Sequence, residues 1–276
     1  MLFRSVSVGD TFIVSMKIDS EKTSINSVEG DVTLENNNGN LIVNDFSLAK
    51  SIFSLWPRTP SLSTDGNTIS FVGGVPGGFS IDKAILFNIV VEAKKEGTIK
   101  ISPKNMAIFM NDGKGSRAET NINSLTINVV PQNSEIAPIN EWSSLVATDK
   151  TSPEKFDIVI GREPSLFEGR RFAFFTAVDN QSGISYYEVS ENGGVAIRSG
   201  SMYILLNQDE NIKPNLVVTA YDKAGNKTIS IYKNPTTMIF GFPLRIFIII
   251  VIIIIVFLIF SKIRRNKKNV QQNQQI

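Results

Sequence analysis

The chain has 276 residues, no histidine and no cysteine, and 28 basic against 26 acidic side chains, for a formal net charge of +2. Lacking both residue types, it cannot build the common zinc, copper, iron–sulfur or haem ligand sets, nor any Ser-His-Asp or Cys-His catalytic arrangement. A disulfide framework is excluded too, so an exported domain must rest on its apolar core. Near-balanced charge argues against a nucleic-acid partner, and the length suits about two domains.

Residues 1–130 read as a first domain of short strands. Residues 11–18 alternate apolar with polar, and β-rich runs follow at 30–34, 40–46, 68–73, 81–92, 98–101, 107–110 and 120–130. Asn36-Asn37-Asn38-Gly39, Asp65-Gly66-Asn67, Lys95-Glu96-Gly97 and Asn111-Asp112-Gly113 supply turn chemistry between them. Such spacing predicts an antiparallel sandwich. Residues 73–78 are glycine-rich, but no Gly-Lys-Ser/Thr follows, so they read as a bulge or tight bend and not as a phosphate loop. Asn111-Asp112-Gly113-Lys114-Gly115 lacks the alternating acids and closing glutamate of a calcium loop and reads as a hairpin turn. Trp56, between Leu55 and Pro57 with Phe53 nearby, is the candidate ligand-binding residue, as an aromatic platform for a sugar. The plainer reading, which we prefer, is a loop aromatic that plugs one end of the sandwich.

These residues also carry a resemblance. Val8-Gly9-Asp10-Thr11-Phe12-Ile13-Val14, followed by Ile25-Asn26-Ser27-Val28-Glu29-Gly30-Asp31-Val32-Thr33-Leu34, resembles the opening of cohesin domains. Gly73-Gly74-Val75-Pro76-Gly77-Gly78-Phe79 leading into Ala84-Ile85-Leu86-Phe87-Asn88-Ile89-Val90-Val91 is similar to the cohesin glycine-rich turn and its following strand. Ala107-Ile108-Phe109-Met110-Asn111-Asp112-Gly113-Lys114-Gly115 resembles a late hairpin of cohesin-like domains. The resemblance implies a jelly-roll sandwich related to carbohydrate-binding modules, which binds a dockerin module or a polysaccharide. No contact residues carry over, because none of these motifs is a contact motif.

Residues 131–153 form a linker, either a spacer or a packed connection, with Trp142 expected to pin it to a neighbour. In 154–234 strand patterns return at 156–161, 171–178, 184–190, 202–206, 215–221 and 227–232, which fits an immunoglobulin-like sandwich. Ala177-Val178-Asp179-Asn180-Gln181-Ser182-Gly183-Ile184-Ser185-Tyr186-Tyr187-Glu188-Val189 and Val218-Thr219-Ala220-Tyr221-Asp222-Lys223-Ala224-Gly225-Asn226 resemble turns of bacterial Ig-like domains. Asp179 and Asp222 there read as turn caps. They are also the weak candidates for a shared calcium ion, although no metal or other cofactor is expected. Asn180-Gln181-Ser182 and Asn226-Lys227-Thr228 match the glycosylation pattern, which is short enough to arise by chance.

Residues 238–260 are apolar apart from Arg245, and 246–260 contain only Ile, Val, Leu and Phe. About 20 helical residues cross a bilayer core, so this segment reads as one transmembrane helix. Pro243 belongs near its start, and Arg245 reaches the outer headgroups. Lys262, Arg264, Arg265, Lys267 and Lys268 follow at once, in the tail 261–276, against Lys233 and Arg245 on the other side. That bias places the C-terminus in the cytoplasm. Residues 1–4 carry no signal-peptide pattern. The expectation is an export segment upstream of Met1, the alternative a tail-anchored chain whose bulk stays in the cytoplasm.

The fold class expected is therefore all-β: two antiparallel sandwiches, cohesin-like and then Ig-like, plus one C-terminal transmembrane helix. The function expected is a non-enzymatic, single-pass surface protein of a bacterium. Its partners would be the lipid bilayer and either a polysaccharide or a surface protein module, with no nucleic acid. The alternatives are a structural or adhesive surface protein without a glycan ligand, and a tail-anchored scaffold.

Overall fold

The computed structural model describes residues 2–35, 39–133, 135–164 and 166–232. The span 238–260 lies outside the described residues, and so do Arg245, Lys262, Arg264, Arg265, Lys267 and Lys268. Among the described residues, no helix is long and apolar enough to cross a membrane.

Residues 2–232 are mostly strand. In chain order come β1 (Leu2–Ser7), β2 (Thr11–Ile18), β3 (Ile25–Glu35), β4 (Leu41–Ser47), β5 (Leu55–Leu62), β6 (Thr68–Phe79), β7 (Ala84–Ala93), β8 (Gly97–Met110) and β9 (Leu125–Val130). They pair as a six-stranded sheet β1-β9-β8-β3-β6-β5 and a three-stranded sheet β2-β7-β4. Alternation sends Val28, Val32, Ile69, Phe71, Ile99 and Ile101 of the large sheet inward, against Phe12, Phe87, Ile89 and Val91 of the small one. Strand β7 departs from alternation. Asn88 and Val90 are buried on its other face, so that face is covered as well.

Two places differ from the sequence reading. Strand β5 replaces a loop and carries Trp56. It is an edge strand with Pro57 and Pro60, paired with β6 only at Leu55, Arg58, Ser61 and Leu62, and two missing amide donors are tolerable only at such an edge. Strand β8 is continuous where two short strands were expected. Its register against β3 shifts between Glu29 and Asp31, at a bulge where Asn105 has φ +52°. Residues 73–78 do form a bulge, inside β6 and opposite Ile25 and Ser27.

The linker contains a helix, α1 (Glu141–Thr148), capped by Asn140, whose side-chain oxygen accepts the Ser143 amide at 2.7 Å. It is a packed connection. Glu141 pairs with Arg4 and accepts the Ile13 amide at 3.1 Å, while Asp10 accepts the Ile139 amide at 2.8 Å. Lys223 lies 5.8 Å over the Trp142 ring, which ties the helix to the following sandwich.

That sandwich comprises β10 (Ile158–Arg162), β11 (Arg171–Phe175), β12 (Ile184–Glu191), β13 (Ile197–Ser199), β14 (Met202–Ile204), β15 (Leu216–Asp222) and β16 (Lys227–Tyr232), as sheets β10-β11-β14 and β13-β12-β15-β16. Its own core holds Phe156, Phe175, Tyr187, Val189, Leu216 and Val218. Residues 1–232 nevertheless form one compact unit.

Two core tyrosines report this packing. Burial pushes the Tyr187 phenol up to about 12, and burial plus Glu191 pushes Tyr203 up to about 12. Both are raised in the folded state, so each contributes stability that is complete below about pH 10 and is lost as pH climbs toward 12. Absorbance titration should show Tyr187 and Tyr203 resisting ionisation until the fold gives way. Ordinary titration of both near pH 10 would refute this packing.

Candidate functional site

Two places combine exposed or charged chemistry with a built scaffold. The first is the outer face of the six-stranded sheet. The bulge in β8 exists because Gly30 of β3 approaches it closely, and a Cβ at Gly30 would stand 2.5 Å from the Met106 sulfur. The bulge turns Asn105 toward β3, where its Nδ2 donates to Asp31 Oδ2 at 2.9 Å. Ser70 of β6 donates to Asp31 Oδ1 at 2.7 Å. The hydrogen bonds from Asn105 and Ser70, with the Arg58 guanidinium beside them, hold the Asp31 carboxyl below the usual carboxylate range. Asn105, Asp31 and Ser70 thus make a hydrogen-bonded polar row across β8, β3 and β6, with Arg58 of β5 beside it. Lys104, Asn105 and Arg58 on this face are exposed.

The second place is the junction between the sandwiches. The loop after β4 is anchored by Asn88, whose Nδ2 donates to Ala49 O at 2.9 Å and whose Oδ1 accepts from Ser15 at 2.7 Å. On that loop's edge Ser47 donates to Ser182 O at 2.9 Å. Lys223 pairs with Asp45 at 2.5 Å, and Thr176 donates to Ser54 O at 3.1 Å. Beside these contacts lies a cleft of about 480 Å³ lined by Phe53, Trp56, Thr59, Tyr186, Arg198 and Ser201 among others.

Trp56 is half-buried in that cleft, edge-on to Phe53 at 5.2 Å and to Phe87 at 6.4 Å. It is therefore joined to the core and is not a free platform. The neighbouring aromatics are occupied too. Tyr186 is stacked on Tyr221 at 4.7 Å with the Arg198 guanidinium 4.0 Å over its ring, and Tyr187 is buried, its hydroxyl accepting the Ala177 amide at 2.9 Å.

Asp179 and Asp222 are brought together, and the structure adds a third carboxylate. Asp149, just past α1, offers an oxygen within 4.8 Å of theirs, and the three residues are 1%, 3% and 2% exposed for Asp149, Asp179 and Asp222. Asp179 and Asp222 also cap turns, as the sequence reading held, and Asp149 caps one that it missed. Asp149 accepts the Thr151 and Ser182 amides at 2.9 and 3.1 Å, Asp179 those of Gln181 and Gly183 at 3.1 and 2.6 Å, and Asp222 that of Asn226 at 2.8 Å. The Asn226 side chain donates to Asp222 at 2.8 Å, so a glycan there would break the turn. Asn180 is exposed and donates to Glu154 at 2.9 Å.

No family model matches the chain, and no curated protein matches it. Among solved structures, the chain is similar to cohesin modules at low identity over about half its length. One is a non-cellulosomal cohesin of Archaeoglobus fulgidus, at 16% identity and TM-score 0.37, covering 47% of this chain and 86% of that one. A second is the cohesin module of a Clostridium perfringens family 33 glycoside hydrolase, at 15% identity and TM-score 0.38, covering 48% and 94%. A third is the sixth cohesin of Acetivibrio cellulolyticus scaffoldin B, solved in complex with a dockerin, at 15% identity and TM-score 0.39, covering 47% and 95%.

Proposed function

We propose that the chain is a non-catalytic recognition protein whose first sandwich binds a protein module through the outer face of β5, β6, β3 and β8. The carrying observation is the hydrogen-bonded row Asn105–Asp31–Ser70, held by neighbouring strands, with the exposed Arg58 guanidinium beside it. A fixed, half-buried carboxylate flanked by exposed cations on a stiff sheet favours a partner of complementary charge, since little conformational freedom of the sheet is lost on binding. The cohesin resemblance points to a dockerin-type partner. A polysaccharide is the weaker reading, because the Tyr186 ring is covered by Tyr221 and Arg198 and Trp56 is packed edge to face with core aromatics.

In this reading the second sandwich is an Ig-like spacer. The segment 238–260 anchors the chain in the cell membrane as a single pass, with residues 1–232 outside and the basic tail in the cytoplasm.

The test is surface plasmon resonance against a panel of dockerin modules, with a glycan array alongside. The expected result is saturable binding to a module, weakened about 10- to 100-fold by Asp31→Lys or Arg58→Glu and unchanged by Trp56→Ala. Glycan binding lost on Trp56→Ala, with no module bound, would replace this reading by the polysaccharide one.

A further inference from the structure

We propose that Asp149, Asp179 and Asp222 bind one calcium ion, which locks the linker to the second sandwich at its junction with the first. Three like charges stand together at 1–3% exposure, and among the described residues no lysine or arginine pairs with any of them. Lys223, adjacent in sequence to Asp222, is turned instead to Asp45 and Trp142. Burying three carboxylates without a counter-charge is far costlier than burying a neutralised set.

Two further atoms point to a ligand. Asp179 Oδ2 is buried and has no hydrogen-bond partner, although Asp179 Oδ1 takes two amides. Ser182 Oγ, on a residue 0% exposed, is likewise without a partner. The Ser182 amide donates to Asp149 Oδ2 at 3.1 Å, which fixes that serine against the carboxylates. Buried polar oxygens are normally satisfied, and a cation would satisfy both at once.

The donor set selects the ion. All three carboxylates and the hydroxyl offer hard oxygen, which suits calcium or magnesium over the softer transition metals. Calcium takes six to eight oxygens at about 2.3–2.6 Å in flexible geometry, so its ligands lie up to about 5.2 Å apart, whereas magnesium, at about 2.0–2.1 Å, demands a near-ideal octahedron and gives up its waters reluctantly. The three oxygens lie within 4.8 Å of one another. Asp179 also lines a surface hollow with Thr151, Ser152 and Glu154, which gives an ion a route in.

The carboxylates come from three segments: the end of α1, the turn before β12 and the β15–β16 hairpin. Calcium therefore fixes all three relative to one another, at the place where Ser182 and Gly183 meet Ser47.

The test uses the full chain in mild detergent, stripped with EGTA and titrated with calcium chloride by calorimetry, with terbium luminescence as a second readout. The expected results are one ion per chain, a rise in melting temperature of about 5 °C or more at saturating calcium, and a smaller rise with equal magnesium. Asp179→Asn, which keeps the one oxygen that accepts both turn amides, should weaken binding about tenfold or more without lowering the melting temperature in EGTA, and Asp149→Asn, which keeps only one of its two acceptors, should weaken binding at least as much. Absence of saturable binding to a chain with intact β-type circular dichroism would overturn the proposal. So would binding unaffected by both substitutions.

Discussion

Phe87→Ala should cost about 3–5 kcal/mol, much of the total stability of a typical domain. Phe87 is 0% exposed at the middle of β7, with Phe71 at 4.9 Å and Trp56 and Phe46 at 6.4 and 6.5 Å. Removing its ring leaves a cavity bounded by three aromatics, each held by its own strand, so collapse into the space is hindered and the full cavity penalty is felt. Urea unfolding followed by circular dichroism measures the loss. Trp56 gives an internal check, because losing one of its two edge contacts should shift its emission to the red. Phe87→Leu, which preserves most of the volume, should cost about 1.5 kcal/mol or less. Equal costs for the two variants would contradict this packing.

Gly183→Ala should destabilise by about 2–4 kcal/mol and uncouple the two sandwiches. Gly183 has φ +85°, and a Cβ there would stand 2.7 Å from Ser47 Oγ and 3.0 Å from the Ala49 amide nitrogen. The serine hydroxyl can rotate away, but the Ala49 backbone cannot, because Asn88 holds that loop to β7. The strain therefore falls on the junction and the Ser47–Ser182 hydrogen bond breaks. The expected signature is a single thermal transition in the parent that splits into two in the variant, with faster proteolysis within 131–153. Ser47→Gly in the same background should recover only part of the loss. An unchanged single transition in Gly183→Ala would show that the contact does not couple the two cores.

Local pattern was enough where one strand face is buried and the other is not. Strand β2 falls on residues 11–18 as read, because Phe12, Val14 and Ile18 alternate inward. It was insufficient where a tertiary partner overrides local signals. Pro57 and Pro60 argue against a strand, and only the irregular pairing of β5 with β6 at the sheet edge accommodates them. Residues 102–105 look like a break between strands, whereas Gly30 of the neighbouring strand leaves room for a bulge that carries β8 through. Helix α1 has no buried residue, and its apolar stripe of Trp142, Leu145 and Val146 spans only two turns and is half-buried, too short for its periodicity to stand out from a proline- and serine-containing linker.

The candidate sites divide in the same way. Asp179 and Asp222 were legible because Asp-x-x-x-Gly and Asp-x-x-Gly-Asn turns advertise capping carboxylates. Asp149 was not, because its amide donor Ser182 is remote in the chain and the two meet only when the linker packs down. The row from Asn105 to Arg58 was illegible for another reason. It joins single residues of four strands, and neighbours across a sheet are defined by register, which sequence alone leaves free.

The proline-bearing rim of the large sheet has a consequence for crowding. Copies of the chain at high local concentration meet sheet rim to sheet rim, where an unpaired strand would ordinarily recruit another and seed a fibril. Here Pro57 and Pro60 strip donors from that rim, and the bulges at Leu55–Arg58 and Arg58–Ser61 spoil its repeat, so an incoming backbone finds no continuous ladder to extend. Association at this rim must go through side chains, which can discriminate among partners, and not through the peptide groups that every protein shares.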